Sequence, residues 1–354
     1  MEPAKQAMHI WIAQLQHKFV WIVVGAYLLA GFFPSLGNAM RHWEVAHIPH
    51  RPSPMVMTLP ACLLSLLLFN AGLGVKSAEL RNLCRYPWLL LAGLGVNLGY
   101  PILFITLIDF PLHLWHDADE VQNILLGMGV IAAMPIAGSS TAWVQNAGGN
   151  LALGLGLVLG STLLSPWTTP FVLNIVSSLA DGDYATHLRD LAAYGTTDFL
   201  IGFVVAPVTL GMLTRLILGE SLAHVCKPLL LVANLAILAL LLYCNASLTL
   251  PDVIKDPDPD FLLAILMLGT SMCLLAFATG GLIARICRAE RAQATSLIFG
   301  LGMNNNGTGL VMATMALADY PRALLPLIFY NLIQHLVAGW IDHWRNQPEL
   351  PLTS

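Results

Sequence analysis

The chain has 354 residues, of which 57% are hydrophobic and 10% charged, and its mean hydropathy is +0.72. A soluble domain carries about 25% charged residues, so this composition excludes a soluble enzyme or a disordered protein, and the net charge of −4 provides no basic surface for nucleic acid. A membrane-spanning helix needs about 20 apolar residues, so the chain can supply roughly ten spans. We therefore predict one all-α, polytopic membrane domain.

Apolar segments of membrane-spanning length follow one another along the chain. They cover residues 19–36, 56–75, 87–108, 121–145, 150–177, 198–218, 227–246, 261–284, 292–317 and 322–342. Residues 1–18 predict an interfacial amphipathic helix, and residues 346–354 form a C-terminal tail.

The basic residues indicate how these segments are oriented. If the N-terminus is inside, eleven of the sixteen Lys and Arg residues fall on the inner side. Because Lys and Arg accumulate on the cytoplasmic side, we predict a multi-pass protein of the inner (cytoplasmic) membrane with both termini in the cytoplasm. The acidic residues of the outer loops, such as Glu120, Asp258 and Asp260, are interpreted as solvated loop charge.

The number of segments also predicts an internal repeat. Five segments lie in residues 19–177 and five in residues 198–345, with a linker at 178–197 between them. Because five is odd, the second half enters the membrane from the opposite side. The sequence therefore predicts two inverted five-helix repeats, an arrangement common among secondary transporters.

The fourth segment of each half is interrupted by residues that break helices. In the first half, Pro135 removes a backbone donor, Gly138 loosens the helix, and three hydroxyl residues follow. In the second half, glycines surround three adjacent asparagines. Paired interruptions at equivalent positions indicate a transporter binding site. We expect hinges at Pro135, Gly138, Gly300, Gly302 and Gly307, and substrate-binding groups at Ser139, Ser140, Thr141, Asn304, Asn305, Asn306 and Thr308.

A structural role is the alternative for these polar residues. Any one of the hydroxyls could simply hydrogen-bond to a neighbouring helix. The asparagine run fits that alternative less well, because three adjacent side chains point in three directions and a single neighbouring helix cannot satisfy them all.

Several motifs, in order and with matching spacing, resemble the bile acid:sodium symporter family in its ten-span bacterial type. They are residues 31–37 (GFFPSLG), 72–76 (GLGVK), 161–170 (STLLSPWTTP) and 299–309 (FGLGMNNNGTG). The resemblance covers nearly the whole chain. It implies a panel of spans 1, 2, 6 and 7, a core of spans 3–5 and 8–10, and broken helices 4 and 9 that cross at mid-membrane. It also implies alternating access for an organic anion, usually driven by two sodium ions.

The sequence departs from the family at the sodium ligands that the resemblance implies. The family's key glutamate aligns with Gly300, its span-four asparagine with Thr141, and two span-five hydroxyls with Gly154 and Val158. A sodium ion needs several oxygen ligands and usually a carboxylate. We therefore expect the usual sodium sites to be absent or weak, and we predict no other metal site.

His335 is the clearly mid-span ionisable residue, and we interpret it as a candidate proton site, or alternatively as a neutral histidine bonded to a backbone carbonyl. The predicted function is alternating-access transport of a small organic anion or polar organic solute, proton-coupled or uncoupled. Ordinary sodium symport is the first alternative, and a non-transporting receptor or scaffold the second. We predict no enzymatic activity, catalytic residue, cofactor or nucleic-acid partner. The expected partners are the substrate, the lipid bilayer and a coupled proton or sodium ion.

Overall fold

The computed structural model describes residues 19–48, 55–76, 82, 85–194 and 196–345. The interfacial helix predicted at 1–18 and the tail at 346–354 lie outside these residues.

The described residues form helices and one short antiparallel hairpin. The first part of the chain contains α1 (Phe19–Phe32), α2 (Pro34–Arg41), β1 (Glu44–Ile48), β2 (Met55–Thr58), α3 (Leu59–Gly74), α4 (Pro87–Leu112), α5 (Ala118–Ala133), α6 (Ser140–Asn146), α7 (Leu151–Ser177) and α8 (Gly182–Tyr194). The second part contains α9 (Thr196–Leu200), a π-helical segment (Ile201–Val205), α10 (Ala206–Ala246), α11 (Leu250–Lys255), α12 (Pro259–Ile286), α13 (Arg291–Gly302), α14 (Asn306–Ala316), a 3₁₀ turn (Pro321–Leu324) and α15 (Leu325–Arg345).

Several helices are long and apolar enough to cross a membrane. Within the described residues there are five: Pro87–Leu112, Leu151–Ser177, Thr196–Ile217, Pro259–Ile286 and Pro321–Arg345. A sixth results if α1 and α2, which meet at an angle of 95°, form one span. Two shorter apolar helices, Leu59–Gly74 and Val232–Ala246, accompany them. The chain is therefore a helical membrane protein.

Local sequence signals explain where many of these helices begin. The Asp117 carboxylate accepts hydrogen bonds from the first backbone N–H groups of α5, and Asn150 accepts one from Leu153 at the start of α7. Asp258 caps α12, whose first residue is Pro259. Proline suits this position because the first N–H of a helix has no intrahelical partner.

The helices pack in two groups that the chain joins near residue 200. One group consists of α1, α3 and α10; in the other, α12 packs on α4, α13 and α15, and α7 packs on α4 and α5. Between them, the linker predicted at 178–197 contains α8, which lies on α7. The π-helical segment follows, and the Ser65 hydroxyl donates 3.3 Å to the Phe203 carbonyl within it. Before this π-helical segment the chain packs on α7 through α8, and after it the chain packs on α1 and α3 through α10.

The closest packing in the first group depends on glycines. A β-carbon at Gly72 would collide with the Val208 carbonyl oxygen, and one at Gly211 with the Phe69 carbonyl oxygen. The backbones of α3 and α10 therefore approach directly, as small residues allow in membrane proteins.

We expect the substitution Gly72→Ala to lower the stability of the purified protein by about 1–3 kcal/mol, because the added methyl group overpacks this contact. The matched control is Gly74→Ala in the same helix, where a β-carbon would meet no atom within 4 Å. Thermal unfolding in detergent measures the difference. Equal unfolding temperatures for the two variants would contradict the close approach.

Candidate functional site

Two interrupted helices meet each other at their interruptions. The first interruption separates α5 from α6, and the second separates α13 from α14. Ile136 and Asn304 form an antiparallel β-bridge between them. The Ala137 N–H donates to the Met303 carbonyl at 2.9 Å, and the Asn305 N–H donates to the Pro135 carbonyl at 2.8 Å. Each interruption thus supplies hydrogen-bond partners for the backbone of the other.

Side chains from neighbouring helices satisfy further backbone groups at this crossing. The Gln334 amide is bonded twice to Asn304: its Oε1 accepts from the backbone N–H at 3.0 Å and its Nε2 donates to the carbonyl at 3.1 Å. The Ser161 Oγ accepts from the Ile136 N–H at 3.0 Å, and the Thr169 Oγ1 donates to the Ala133 carbonyl at 2.7 Å. These three partners are neutral amide and hydroxyl side chains.

The hydrogen bonds continue from the crossing to the first helix group. The Gln334 Nε2 lies 3.4 Å from Asn331 Oδ1, and the Asn331 Nδ2 donates to the Tyr27 hydroxyl at 3.0 Å. Tyr27 belongs to α1, so a buried polar chain connects the crossing to α1 through α15. Such a chain of hydrogen bonds fixes the relative orientation of the side chains that it joins, because each buried polar group needs its partner.

Part of the predicted binding set serves the local structure. The Asn304 Nδ2 donates to the Ile131 carbonyl at 3.0 Å, near the end of α5. The Asn305 Oδ1 accepts from the Thr308 N–H at 3.2 Å and caps α14. The Thr141 Oγ1 donates to the Gly138 carbonyl at 2.8 Å. These three side chains are therefore bonded to the chain itself, while Ser139 is exposed.

The remaining members of the predicted set have polar atoms without partners. Ser140, Asn306 and Thr308 are buried, with exposures of 0%, 1% and 0%. The two hydroxyl oxygens and both amide atoms of Asn306 make no hydrogen bond within the part of the chain that the structure describes. Burying an unbonded polar group costs about 1–3 kcal/mol, so each such group in a folded protein needs an explanation, such as a ligand or a bound water.

The crossing separates these unpartnered groups. The bridge is antiparallel, with Ala137 bonded to Met303 and Asn305 to Pro135. The chain that leads to Ser140 therefore runs towards Gly300. The chain that leads to Asn306 runs in the opposite direction, towards Met134. The predicted substrate-binding residues therefore lie around the crossing rather than in one cluster.

Apolar packing occupies the neighbourhood of the aligned sodium-ligand positions. A β-carbon at Gly300 would lie 2.9 Å from Leu157 Cδ1, and one at Gly154 would lie 3.3 Å from Val144 Cγ1. Leu157 belongs to a buried cluster against which Val158 also packs. The other buried members are Leu89, Ile136, Leu153, Ala284, Leu297 and Leu301. Hydrocarbon side chains thus lie close to Gly300, Gly154 and Val158.

A small cavity with mixed polar and apolar lining lies beside the crossing, between α4, α12 and α15. Its volume is about 10 Å³, and its polar lining residues include Asn97, Thr279, Asn304 and Tyr330. This volume holds about one water molecule. The Tyr330 hydroxyl is buried and has no hydrogen-bond partner among the described residues, so the cavity has a polar group available to a small ligand.

The predicted hinges and the predicted proton site occupy different places. Pro135 and Gly138 lie in the first interruption. Gly300 and Gly302 lie in the last turn of α13, and Gly307 lies in the first turn of α14. A β-carbon at Gly302 would collide with Phe277, so this glycine also permits close packing. His335 is 5% exposed on α15, next to Gln334.

Sequence reasoning missed the side chains that hold the crossing together. Ser161 and Thr169 occur in a family-like motif, and Gln334 is adjacent to His335, but the sequence assigned none of them a bonding role. Their common signal is a buried polar group within an apolar segment, which needs a partner. Identifying that partner requires the three-dimensional packing of helices distant in sequence.

We expect Asn304→Leu to destabilise the protein by about 1 kcal/mol, because it removes a buried hydrogen bond and leaves the Met134 N–H at 3.2 Å as the remaining donor to the Ile131 carbonyl. Asn306→Leu, a change of similar size in the same run, should leave stability unchanged or raised, because it removes two buried atoms that have no partner. Thermal unfolding in detergent compares the two. Equal destabilisation would show that both amides are bonded in the folded protein.

Comparisons with known proteins agree with this architecture. The family model described as Sodium Bile acid symporter family matches residues 61–256, which is more than half of the chain. YbaS, an uncharacterized protein of Bacillus subtilis strain 168, is 25% identical over 287 residues, covering 80% of this chain and 87% of YbaS. YocS of the same organism, named an uncharacterized sodium-dependent transporter, is 23% identical over 330 residues, covering 91% of this chain and 89% of YocS. The chain belongs to the sodium bile acid symporter family and is a secondary transporter.

Proposed function

We propose that this protein carries a small organic anion or polar organic solute across the inner membrane by alternating access, without the two-sodium mechanism usual for its family. The observation that carries this proposal is the packing at the aligned ligand positions. Gly300 replaces the carboxylate, and Leu157 lies against it. A sodium ion there would have to displace buried hydrocarbon and would find no carboxylate to offset its charge.

The unpartnered polar groups supply the substrate site in this proposal. Ser140, Asn306 and Thr308 are buried with free hydrogen-bonding capacity, and α14 begins at the crossing with its positive dipole end. These groups suit a substrate with oxygen acceptors, such as a carboxylate. Ser139, Thr141, Asn304 and Asn305 complete the proposed site through backbone and side-chain groups at the two interruptions.

The two helix groups supply the moving parts. We propose that α1, α3 and α10 belong to the panel and that the other long helices form the core, within ten spans arranged as two inverted repeats. The core would rock against the panel and expose the crossing to each side in turn. Both termini would face the cytoplasm, as the distribution of Lys and Arg favours.

His335 is the proposed proton carrier of the cycle. It is buried on α15, and the adjacent Gln334 holds the crossing. Histidine is a common proton carrier in proteins, and in this proposal His335 takes up and releases a proton as the substrate moves. Transport without any coupled ion is the simpler variant of the same proposal.

If His335 carries the proton, an imposed pH gradient should stimulate uptake in proteoliposomes, and His335→Gln should abolish that stimulation while leaving counterflow of substrate intact. The substrate is one selected by thermal-shift screening of small carboxylates. His47→Gln is the control, because His47 is exposed, with 59% of its side chain accessible. Unchanged gradient stimulation in His335→Gln would remove His335 from the mechanism.

Sodium coupling is the second candidate, and one observation favours it. The cavity lined by Asn97, Asn304 and Tyr330 offers neutral oxygens beside the crossing, and the relative YocS is named as sodium-dependent. A weak sodium site could use these groups in place of the missing carboxylate.

We expect no sodium-specific stabilisation when thermal unfolding is compared in sodium and choline chloride at equal ionic strength, at pH 6 and pH 8. A ligand present at 100 times its dissociation constant stabilises by about 2.7 kcal/mol, so a functional site would be visible. A sodium-specific shift that disappears in Tyr330→Phe would instead establish the second candidate. Substrate binding without counterflow would favour a receptor.

A further inference from the structure

A cluster of metal-binding side chain types lies at the start of α5 and α12, away from the crossing. His116 precedes α5, Glu120 lies in its first turn, and Asp260 lies in the first turn of α12. Their candidate ligand atoms all lie within 4.8 Å of one another. The His116 Nε2 is 3.1 Å from Asp260 Oδ2. Glu120 and Asp260 are thus 140 residues apart in the sequence, and the fold brings their side chains together.

The charge around this cluster is unbalanced. Asp258, two residues before Asp260, adds a third carboxyl group at the start of α12. The Arg322 Nη1 lies 3.5 Å from Asp258 Oδ2 and offsets one of them. Glu120 and Asp260 remain, with the His116 imidazole beside Asp260, and a divalent cation bound by all three side chains would offset both carboxylates.

Glu120 corrects the expectation of a solvated loop charge. It is 4% exposed, and its Oε2 accepts a hydrogen bond from the neutral Trp115 indole at 2.7 Å. A buried carboxylate is costly unless it is paired or bound to a metal. The indole holds this carboxylate in the manner of the outer partners that orient metal ligands.

We propose that His116, Glu120 and Asp260 bind one divalent transition-metal ion of the Zn²⁺ class. Zinc binds imidazole nitrogen and carboxylate oxygen at about 2.0–2.2 Å in tetrahedral geometry, which places two ligand atoms about 3.4 Å apart. From a spacing within 4.8 Å, the ligand atoms need to close by up to about 1.4 Å. His116 and Asp260 have side-chain exposures of 62% and 52%, so both can make this adjustment. The imidazole ligand favours a transition metal over Ca²⁺ or Mg²⁺, which prefer oxygen.

A bound metal would join the loop before α5 to the beginning of α12. Glu120 lies thirteen residues before the end of α5, so the metal would be about 20 Å from the interruption. It would therefore stabilise one end of the helix bundle without entering the transport site, and it is independent of the proposed substrate and coupling ion.

The test is equilibrium dialysis of the purified full-length protein, with its affinity tag removed, against Zn²⁺. We expect one saturable Zn²⁺ per chain in the wild type, loss of that ion in His116→Ala and Asp260→Asn, and about tenfold weaker binding in Trp115→Phe. His113→Ala is the matched control: this exposed histidine of the same loop pairs with Asp109 and Asp181, and its loss should leave Zn²⁺ binding unchanged.

Thermal unfolding provides the second measurement. Zn²⁺ should raise the unfolding temperature of the wild type and of His113→Ala, but not of His116→Ala, and Ca²⁺ should produce no such shift. Absence of saturable Zn²⁺ binding in the wild type would overturn the proposal. So would a saturable ion that persists in both His116→Ala and Asp260→Asn, because it would bind elsewhere.

Discussion

The structure depends on one constraint: a helix interrupted within a membrane must find partners for the backbone groups that the interruption frees. Here the two interruptions solve this problem together. The bridge between Ile136 and Asn304 pairs one with the other, and Gln334, Ser161 and Thr169 bond further backbone groups. These three side chains come from α15 and α7, so the need for backbone partners determines which helices surround the crossing.

The same constraint divides the polar residues near the crossing into two kinds. Asn304 and Asn305 each have one side-chain atom bonded to the chain, so the fold accounts for part of their polarity. Ser140, Asn306 and Thr308 are equally buried but have no such bonds. Polarity that the fold does not use is expensive to retain, so it is better evidence for a ligand than polarity alone.

The sequence predicted the helical membrane fold and the location of both interruptions, because proline, glycine and adjacent asparagines act locally on a helix. It could not assign the asparagines individually, since their roles depend on the Ile131 carbonyl and on the capping geometry of α14. The sequence also could not show that Leu157 packs beside Gly300, because this is a contact between two helices. Glu120 was mistaken for a solvated charge because the sequence does not show that it is buried and bonded to the Trp115 indole.

The proposed loss of the family's sodium-binding carboxylate at Gly300 has a consequence for energy coupling. A carrier whose crossing binds no ion brings its substrate to equilibrium, since nothing else biases its two conformations. Accumulation therefore requires another group whose charge changes during the cycle. His335 is covalently next to Gln334, whose amide bonds both backbone groups of Asn304. In the proposed cycle, a proton gained by His335 would add charge beside the residue that bonds the crossing, and this would not require contact with the substrate.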